Sequence, residues 1–265
     1  MEEFIQEIKK KKELSSISDQ FVKTELEKYL KQHPRIDLTK LNVKSKDYRI
    51  IIKDIRTILR RVYGLFRDEN KKEREQLLSE GRIKEILTTH SSTKERLLIY
   101  EDLYQKIFTI TGKPKTILDL GCGLNPFSYL FMKLKELEYH AYDISSEEIE
   151  FIQKYFKILE KKNSSFKGRA EVKDIVNDIL PKVDVCFLLK MTDVLDRGKG
   201  HKITENLLEK IPAKYMIMSF ATRTMSGKKM TAPRRNWVEW LCERKGYVHQ
   251  IIEFTNEIFY VIKKS

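Results

Sequence analysis

The chain is poor in cysteine and lacks a long apolar run. Its three cysteines, Cys122, Cys186 and Cys242, lie far apart in 265 residues, so neither a disulfide framework nor a zinc site is expected. No apolar stretch reaches the roughly 18 residues that a membrane-spanning helix needs. The first residues include two acids and no apolar segment of leader length. We therefore expect no signal peptide and a reducing, cytoplasmic location.

Acidic residues are too few to balance the basic ones. Lys and Arg number 52 against 39 Asp and Glu, which gives a net charge of +13 and a pI near 9.4. From Lys210 to Val238 no acid occurs at all. This surplus predicts an anionic partner, with nucleic acid as the first candidate and an anionic membrane surface as the second.

Glycine is scarce in the first part of the chain, where only Gly64 and Gly81 precede Gly112. Apolar residues recur there at helical spacing, which predicts an all-helical domain over residues 1–110. Its charged helix faces suit either solvent or folded RNA. Beyond a first short helix, the expected helices are one capped by Ser15 or Ser18 and ended by His33-Pro34, one through Tyr48 to Arg61, and one capped by Ser92 or Thr93 that runs through Phe108. Glu69 to Leu87 is a further charged, amphipathic segment.

Strands and helices alternate after Gly112-Lys113-Pro114. Such alternation predicts a mainly parallel, doubly wound α/β sheet over residues 111–265. The last two strands, joined by Thr255-Asn256, form a predicted hairpin, so the seven-stranded sheet should end with an antiparallel strand. The predicted strands are 116–120, 138–142, 169–173, 183–189, 214–219, 247–253 and 257–263, and the predicted helices are 126–135, 146–161, 203–210 and 234–245.

A third glycine is missing from the turn after the first of these strands. Asp119-Leu-Gly-Cys-Gly123 ends the strand, and Asn125-Pro126 stands where the dinucleotide fingerprint has its last glycine. About twenty residues later the second strand ends in Asp143. This D-x-G-x-G pattern with a later acid is typical of Rossmann-like sheets that bind S-adenosylmethionine (SAM) rather than NAD.

Ligands of such sheets lie at the carboxyl ends of the strands. There, Gly121 and Gly123 allow the backbone to approach the amino-acid part of SAM, and Asp143 can accept hydrogen bonds from the ribose. Asp174 can accept one from the adenine amino group, and Ile175 can pack on its ring. Residues 187–191 end the fourth strand and should face the methyl group and its acceptor.

Several of these residues also have a purely structural interpretation. Asp119, Asp143 and Asp174 can be turn residues, and Lys190 can be a solvated loop lysine. Trp237 and Trp240, three residues apart in a predicted helix, are interpreted as core anchors rather than platforms for nucleobases.

A basic loop follows the predicted strand at 214–219. The segment from Lys190 to Lys245 holds 13 Lys and Arg against 6 Asp and Glu, a surplus of 7. A loop of this charge at the rim of the sheet suits contact with a phosphate backbone. The residues expected to bind RNA are Arg223, Lys228, Lys229, Arg234 and Arg235.

Five motifs stand between His90 and the C-terminal part of the chain: His90–Arg96, Asp119–Pro126, His140–Ile144, Phe187–Met191, and Ser219-Phe220 leading to Ser226-Gly227-Lys228. Together they resemble the aminoglycoside-resistance 16S ribosomal RNA methyltransferases, and most closely the branch that modifies guanine N7 in the decoding centre. The resemblance is nearly continuous from His90 onward.

The resemblance implies a SAM-dependent methyltransferase that acts as a monomer on 16S rRNA of the small ribosomal subunit and can confer aminoglycoside resistance. Arg96 would pair with the SAM carboxylate, and Lys190 would help to position the target base. No metal and no membrane partner are implied. The residues expected to contact the cofactor are Ser92, Thr93, Arg96, Asp119, Gly121, Gly123, Asp143, Ile144, Asp174, Ile175, Leu188 and Leu189.

Guanine N7 carries a free lone pair, so the predicted reaction requires no general base. Three alternatives stay open at this point: a non-catalytic SAM- or RNA-binding assembly factor, a methyltransferase for another RNA position such as adenine N1, and a small-molecule methyltransferase. The small-molecule enzyme would gain nothing from a net charge of +13.

Overall fold

The structure, a computed structural model, describes residues 1–38, 41–63, 71–196, 200–224 and 227–264. The chain divides into two compact units: Met1–Arg67 with Ile144–Glu147, and Asp68–Asp143 with Glu148–Ser265. The helices between residues 71 and 111 therefore group with the sheet. The change from helices to alternating strands and helices predicts a domain border at residue 110. That residues 1–110 form an RNA-docking domain stays a prediction.

The described part of the first unit contains three α-helices: α1 (Glu2–Lys9), α2 (Asp19–Gln32) and α3 (Lys46–Tyr63). Ser18 caps α2, because its Oγ accepts a hydrogen bond from Phe21 N at 3.2 Å, and α2 stops at His33 as predicted. The segment Ile144–Glu147 belongs to this unit, where Ser18 N donates to Ile144 O at 3.0 Å and Ile144 packs against the helical core.

In the described part of the second unit, four α-helices precede the sheet: α4 (Lys71–Ser79), α5 (Ile83–Thr88), α6 (Ser91–Arg96) and α7 (Tyr100–Thr111). The charged, amphipathic segment predicted over Glu69 to Leu87 contains α4 and α5, because the chain turns at Gly81 with a left-handed φ of 71°; Glu69 itself lies outside the described residues. The expected cap at Ser92 or Thr93 is wrong. His90 is the N-cap, and the helix stops at Arg96 before a separate helix starts at Tyr100.

Seven strands form one sheet in the order β3-β2-β1-β4-β5-β7-β6. β1 to β5 are parallel to one another, and β7 lies between β5 and β6, antiparallel to both. This arrangement confirms the predicted seven-stranded sheet with its antiparallel ending. The strands are β1 (Thr116–Leu120), β2 (Leu137–Asp143), β3 (Phe166–Val172), β4 (Val183–Leu189), β5 (Ala213–Ala221), β6 (Val248–Glu253) and β7 (Glu257–Lys263).

The helices within the sheet region differ from the predictions at two places. The helix expected over 126–135 is wrong, since a 3-10 turn, Asn125–Ser128, is followed only by the short α8 (Tyr129–Met132). The short α10 (Thr192–Asp196) was not predicted. The remaining helices agree with the predictions to within two residues and are α9 (Ser146–Lys162), α11 (Lys202–Lys210) and α12 (Asn236–Lys245).

Both faces of the sheet are covered. Alternate strand residues point to opposite sides, so Ile117 and Val185 pack in one core cluster and Leu118 and Cys186 in another. Helices α7 and α9 contribute to the first cluster, and α11 and α12 contribute to the second. Because helices cover both faces of the sheet, the ends of its strands stay open. Side chains can converge at the carboxyl ends. Among the described residues, no helix has the length and apolar character to cross a membrane.

Candidate functional site

The glycine turn after β1 is bonded to the end of β2. Gly121 N donates to Tyr142 O at 2.8 Å, and Gly123 N donates to the Asp143 carboxylate at 3.1 Å. Both glycines have a left-handed φ, 62° for Gly121 and 47° for Gly123, which L side chains rarely adopt. The structure thus brings together three of the predicted residues, with the carboxylate of Asp143 fixed beside the turn.

Two side chains lie directly on this turn. A Cβ on Gly121 would stand 2.2 Å from Met191 Sδ, and a Cβ on Gly123 would stand 3.3 Å from His90 Nε2. The pKa of His90 is lowered to about 3, because burial disfavours the charged ring and the cations Arg74, Arg96 and Lys190 add to that effect. His90 is therefore a neutral side chain that packs on the turn at physiological pH.

Asp119, near the end of β1, is hydrogen-bonded to the residues that follow the glycine turn. Its carboxylate accepts hydrogen bonds from Asn125 Nδ2 at 2.9 Å and from Tyr139 Oη at 2.7 Å, and Tyr100 Oη donates to Asn125 Oδ1 at 3.0 Å. Burial raises the pKa of Asp119 to about 7, although both donors oppose the shift. These bonds give Asp119 a structural role; its predicted contact with a cofactor stays a prediction.

Arg96 is buried at the end of α6 and faces an acid that the sequence analysis did not single out. Its Nε lies 3.0 and 2.9 Å from the two carboxylate oxygens of Glu257, at the start of β7. Burial opposes the charge of Arg96, but the attraction of Glu257 outweighs burial and raises the pKa of the guanidinium. Arg96 is therefore a buried cation that the Glu257 carboxylate and the Tyr100 hydroxyl stabilise.

Lys190 contacts the same acid. It follows β4 with a left-handed φ of 56°, and its backbone N lies 3.0 Å from Ser219 Oγ. Its Nζ lies 2.5 Å from Glu95 and 3.4 Å from Glu257. The ammonium is thus paired with two carboxylates instead of extending into solvent as a loop lysine would. Its predicted role beside the target base stays a prediction.

Five other predicted cofactor residues lie in different parts of the fold: in α6, in β4 and in the first unit. Ser92 and Thr93 are buried, and Thr93 Oγ1 donates to Leu87 O at 2.6 Å. Leu188 is fully buried in the core cluster under α11 and α12, whereas Leu189 packs against the opposite cluster. Ile144 belongs to the first unit. Their predicted contacts with a cofactor stay predictions.

Asp174 forms a small turn of its own after β3. Its carboxylate accepts bonds from Val176 N at 3.2 Å and from Asn177 Nδ2 at 2.6 Å. Ile175 is buried in the core cluster that includes Leu118 and Tyr142. The turn fixes both residues beside the carboxyl end of β3; their predicted contact with adenine stays a prediction.

The basic loop after β5 folds back on itself. Arg223 and Lys229 form an antiparallel bridge, and Arg223 also donates to Gly227 O and Asn256 Oδ1 at 3.0 Å each. Lys228 and Lys229 are exposed and form no ion pair within the described ranges. Ser226, part of the motif that carried the resemblance, lies outside the described residues. The loop thus presents two unneutralised lysines.

The residues that lead into α12 are more constrained than expected. Arg234 pairs with Glu253 at 3.3 Å, and Arg235 lies over the Phe220 ring and donates to Pro233 O at 2.9 Å. The predicted RNA contacts of these arginines stay predictions. The interpretation of Trp240 as a core anchor is wrong, since Trp240 is 65% exposed, whereas Trp237 stacks on His201 with ring centroids 3.9 Å apart.

The model of the family described as ribosomal RNA methyltransferase (FmrO) matches residues 52–261. This segment is more than half of the chain and contains the glycine turn, Asp143 and the basic loop. The chain belongs to the FmrO ribosomal RNA methyltransferase family. A curated relative from Proteus mirabilis, 16S rRNA (guanine(1405)-N(7))-methyltransferase, is 30% identical over 187 residues, which is 68% of this chain and 64% of that protein. The chain thus spans less than two thirds of the length of that relative.

Solved structures share the fold of this FmrO-family chain along its whole length. The 16S rRNA methylase RmtB covers 100% of this chain and 98% of its own with a TM-score of 0.76 at 23% identity. RmtF, a 16S rRNA methyltransferase in complex with S-adenosyl-L-homocysteine, covers 100% and 98% with a TM-score of 0.77 at 20% identity. At these identities the likeness establishes the fold.

Most of the first unit precedes the FmrO match, yet it contains a basic pocket of about 640 Å³. Arg56 and Arg60 on its wall are paired with Glu7 and Glu13. Three further basic side chains are exposed and form no ion pair among the residues that the structure describes: Lys11, Arg49 and Lys53. This pocket can attract an anion without first breaking a salt bridge.

Three residues of this FmrO-family site were not assigned a role from the sequence: Tyr100, Asn125 and Glu257. Of these, only Glu257 could have been found from the sequence. It is a charged residue at the head of the apolar run Ile258–Ile262, and a buried charge in such a strand requires a partner. The others are ordinary residues in the sequence, and only the fold places them beside the turn.

Proposed function

We propose that this chain transfers the methyl group of SAM to N7 of a guanine in 16S rRNA of the small ribosomal subunit, acting as a cytoplasmic monomer. Membership of the FmrO family and the names of its relatives support the reaction and the substrate. The observation that carries the proposal is the glycine turn with Asp143 bonded to it at 3.1 Å, in the same unit as the buried cation Arg96.

The residues at the turn fit SAM. Gly121 and Gly123 expose backbone without side chains, and the Asp143 carboxylate can accept bonds from ribose hydroxyls. Arg96 Nη2, although it is 2.8 Å from Glu257, has no well-directed hydrogen bond within the described part of the chain, so it can donate to a carboxylate. Bound SAM would supply an electrophilic methyl group on a sulfonium.

The chain's own contribution is orientation. Guanine N7 attacks with its lone pair and loses no proton, so positioning in line with the methyl group is the main requirement, worth up to roughly 7–11 kcal/mol in favourable cases. Methyl transfer moves positive charge onto the base. Because Glu95 and Glu257 pair with Lys190, its ammonium would repel that charge less than a free lysine would.

The two basic surfaces would hold the RNA. In an A-form helix N7 lies in a deep, narrow groove, so the guanine must be unpaired or flipped at a cost of a few kcal/mol. Contacts of phosphates with the pocket of the first unit and with Lys228 and Lys229 would offset that cost. Within this proposal, residues 1–110 are the RNA-docking part and residues 111–265 the SAM-binding part, to which Arg96 of α6 is added.

The test is incubation of small ribosomal subunits with methyl-labelled SAM, followed by mapping of the modified nucleotide. We expect N7-methylguanine at position 1405, the position that the relatives' name contains. Asp143→Ala should abolish transfer and retain subunit binding. Absence of transfer to any ribosomal RNA by the unmutated chain would favour a non-catalytic assembly factor, and label on adenine N1 would move the proposal to another RNA position.

Resistance is the expected consequence in cells. Expression in a susceptible bacterium should raise the inhibitory concentration of aminoglycosides that bind the decoding centre, because the added methyl group and charge occupy that site. The Asp143→Ala chain is the matched control and should leave susceptibility unchanged. Methylated ribosomes without a change in susceptibility would point to a housekeeping role.

A further inference from the structure

A buried carboxylate lies between two cations at the head of β7. Glu257 is 1% exposed and pairs in the sheet with Ala221 of β5. One of its oxygens is 2.8 Å from Arg96 Nη2, and the other is 3.4 Å from Lys190 Nζ. Glu257 thus links the end of α6, which carries Arg96, to the end of β4, which Lys190 follows.

The charges around Glu257 do not balance in the interior. Arg96 and Lys190 are largely buried, with side chains 3% and 11% exposed, and the buried carboxylate that pairs with both is Glu257. The buried Asp119 also attracts Arg96, but burial raises its pKa to about 7, so it is only partly charged at neutral pH. The second acid, Glu95, has a side chain that is 48% exposed, so water screens its charge. Excess positive charge in a buried site is costly unless an anion completes it. A ligand carboxylate would do so.

The geometry of the guanidinium also leaves a place for that carboxylate. Arginine presents its N–H donors in a rigid planar fork, so an acid that fixes one edge also fixes the direction of the remaining donors. Glu257 takes Nε with both oxygens, while Nη2 makes no well-directed bond to any described residue.

We propose that Glu257 is a positioning residue that aims Arg96 at the carboxylate of the methyl donor. The inference rests on the proposed function, because it concerns the same cofactor, and it assigns a role to a residue outside the predicted set. Glu257 does not touch the donor; it acts through Arg96, and it should therefore affect only ligands that carry a carboxylate.

Two ligands separate this role from a purely structural one. S-Adenosylhomocysteine carries the amino-acid part, whereas 5′-methylthioadenosine has the same nucleoside and thioether without it. In calorimetric titrations, Glu257→Gln should weaken binding of S-adenosylhomocysteine roughly tenfold or more, the range for a hydrogen bond to a charged group. Binding of 5′-methylthioadenosine should stay within about twofold of the unmutated chain, which is less than 0.5 kcal/mol.

Glu101→Gln is the matched control, because Glu101 is an exposed acid that pairs with Lys133. The affinity of this variant for both ligands should be unchanged. Glu257→Asp keeps the buried charge and shortens the side chain, so it should show the same selective loss if Glu257→Gln folds poorly. Equal loss of both ligands in both Glu257 variants, or no loss of S-adenosylhomocysteine, would overturn the role of Glu257. An unmutated chain that binds neither ligand would overturn the proposed function itself.

Discussion

At the scale of single residues, Asp119 should give the fold a pH dependence. Burial raises its pKa to about 7, above the value near 3.9 of an unfolded chain, so the folded state binds the proton more tightly. Its contribution to stability is fully present below about pH 4 and is lost as the pH rises through about 7.

Asp119→Asn removes this titration while keeping an acceptor for Asn125 and Tyr139. The free energy of unfolding of the unmutated chain should fall relative to that of the variant between pH 4 and pH 8, by up to about 4 kcal/mol for a shift of some three pKa units. Chemical denaturation at both pH values measures the difference. A difference that does not change with pH would mean that Asp119 titrates normally in the fold.

Gly121 and Gly112 allow backbone strain to be separated from ligand contact. Both have a left-handed φ, 62° and 75°, but a Cβ would meet Met191 at Gly121 and nothing within 4 Å at Gly112. Gly112→Ala should cost about 1–3 kcal/mol of stability, because side chains rarely adopt its backbone conformation. Gly121→Ala should cost more, because its Cβ would also overlap Met191. Only Gly121→Ala should also weaken S-adenosylhomocysteine binding, measured by calorimetry. Equal affinity in the two variants would remove Gly121 from the ligand site.

At the scale of elements, the two tryptophans of α12 should contribute very differently to stability. Trp237 stacks on His201 and meets Phe220 edge-on, whereas Trp240 is 65% exposed. Trp237→Ala should therefore cost about 2–3 kcal/mol, and Trp240→Ala less than about 0.5 kcal/mol. Thermal and urea unfolding compare the two. A large cost at Trp240 would show that another part of the protein covers this face of the helix.

At the scale of the whole molecule, the net charge of +13 should make subunit binding strongly dependent on salt. Each phosphate contact contributes a slope of about 0.7–0.9 in the logarithm of affinity against the logarithm of salt concentration. Lys53→Ala, in the pocket of the first unit, should lower the slope by about one contact. Lys31→Ala, an exposed lysine of the same unit outside the pocket, should leave it unchanged. Equal slopes for both variants would exclude the pocket as an RNA contact.

The sequence alone determined the class of fold and the glycine turn with Asp143 beside it. The alternation of apolar runs predicted all seven strands, because parallel strands buried on both faces leave a strong local pattern. Gly121, Gly123 and Asp143 could be found because a tight turn and a strand-end acid are local features with fixed spacing. Even so, β3 begins at Phe166 rather than at 169, since its start is set by pairing with Leu137.

Only the tertiary structure decided which charges meet. Arg96 and Glu257 are 161 positions apart in the chain, and nothing local to either residue specifies the other. The same holds for Lys190, which pairs with Glu95 and Glu257 instead of facing water, and for Trp240, whose exposure depends on how α12 packs on the sheet. Local spacing encodes turns and strands, whereas an ion pair between distant residues exists only after the sheet has brought β4, β7 and α6 together.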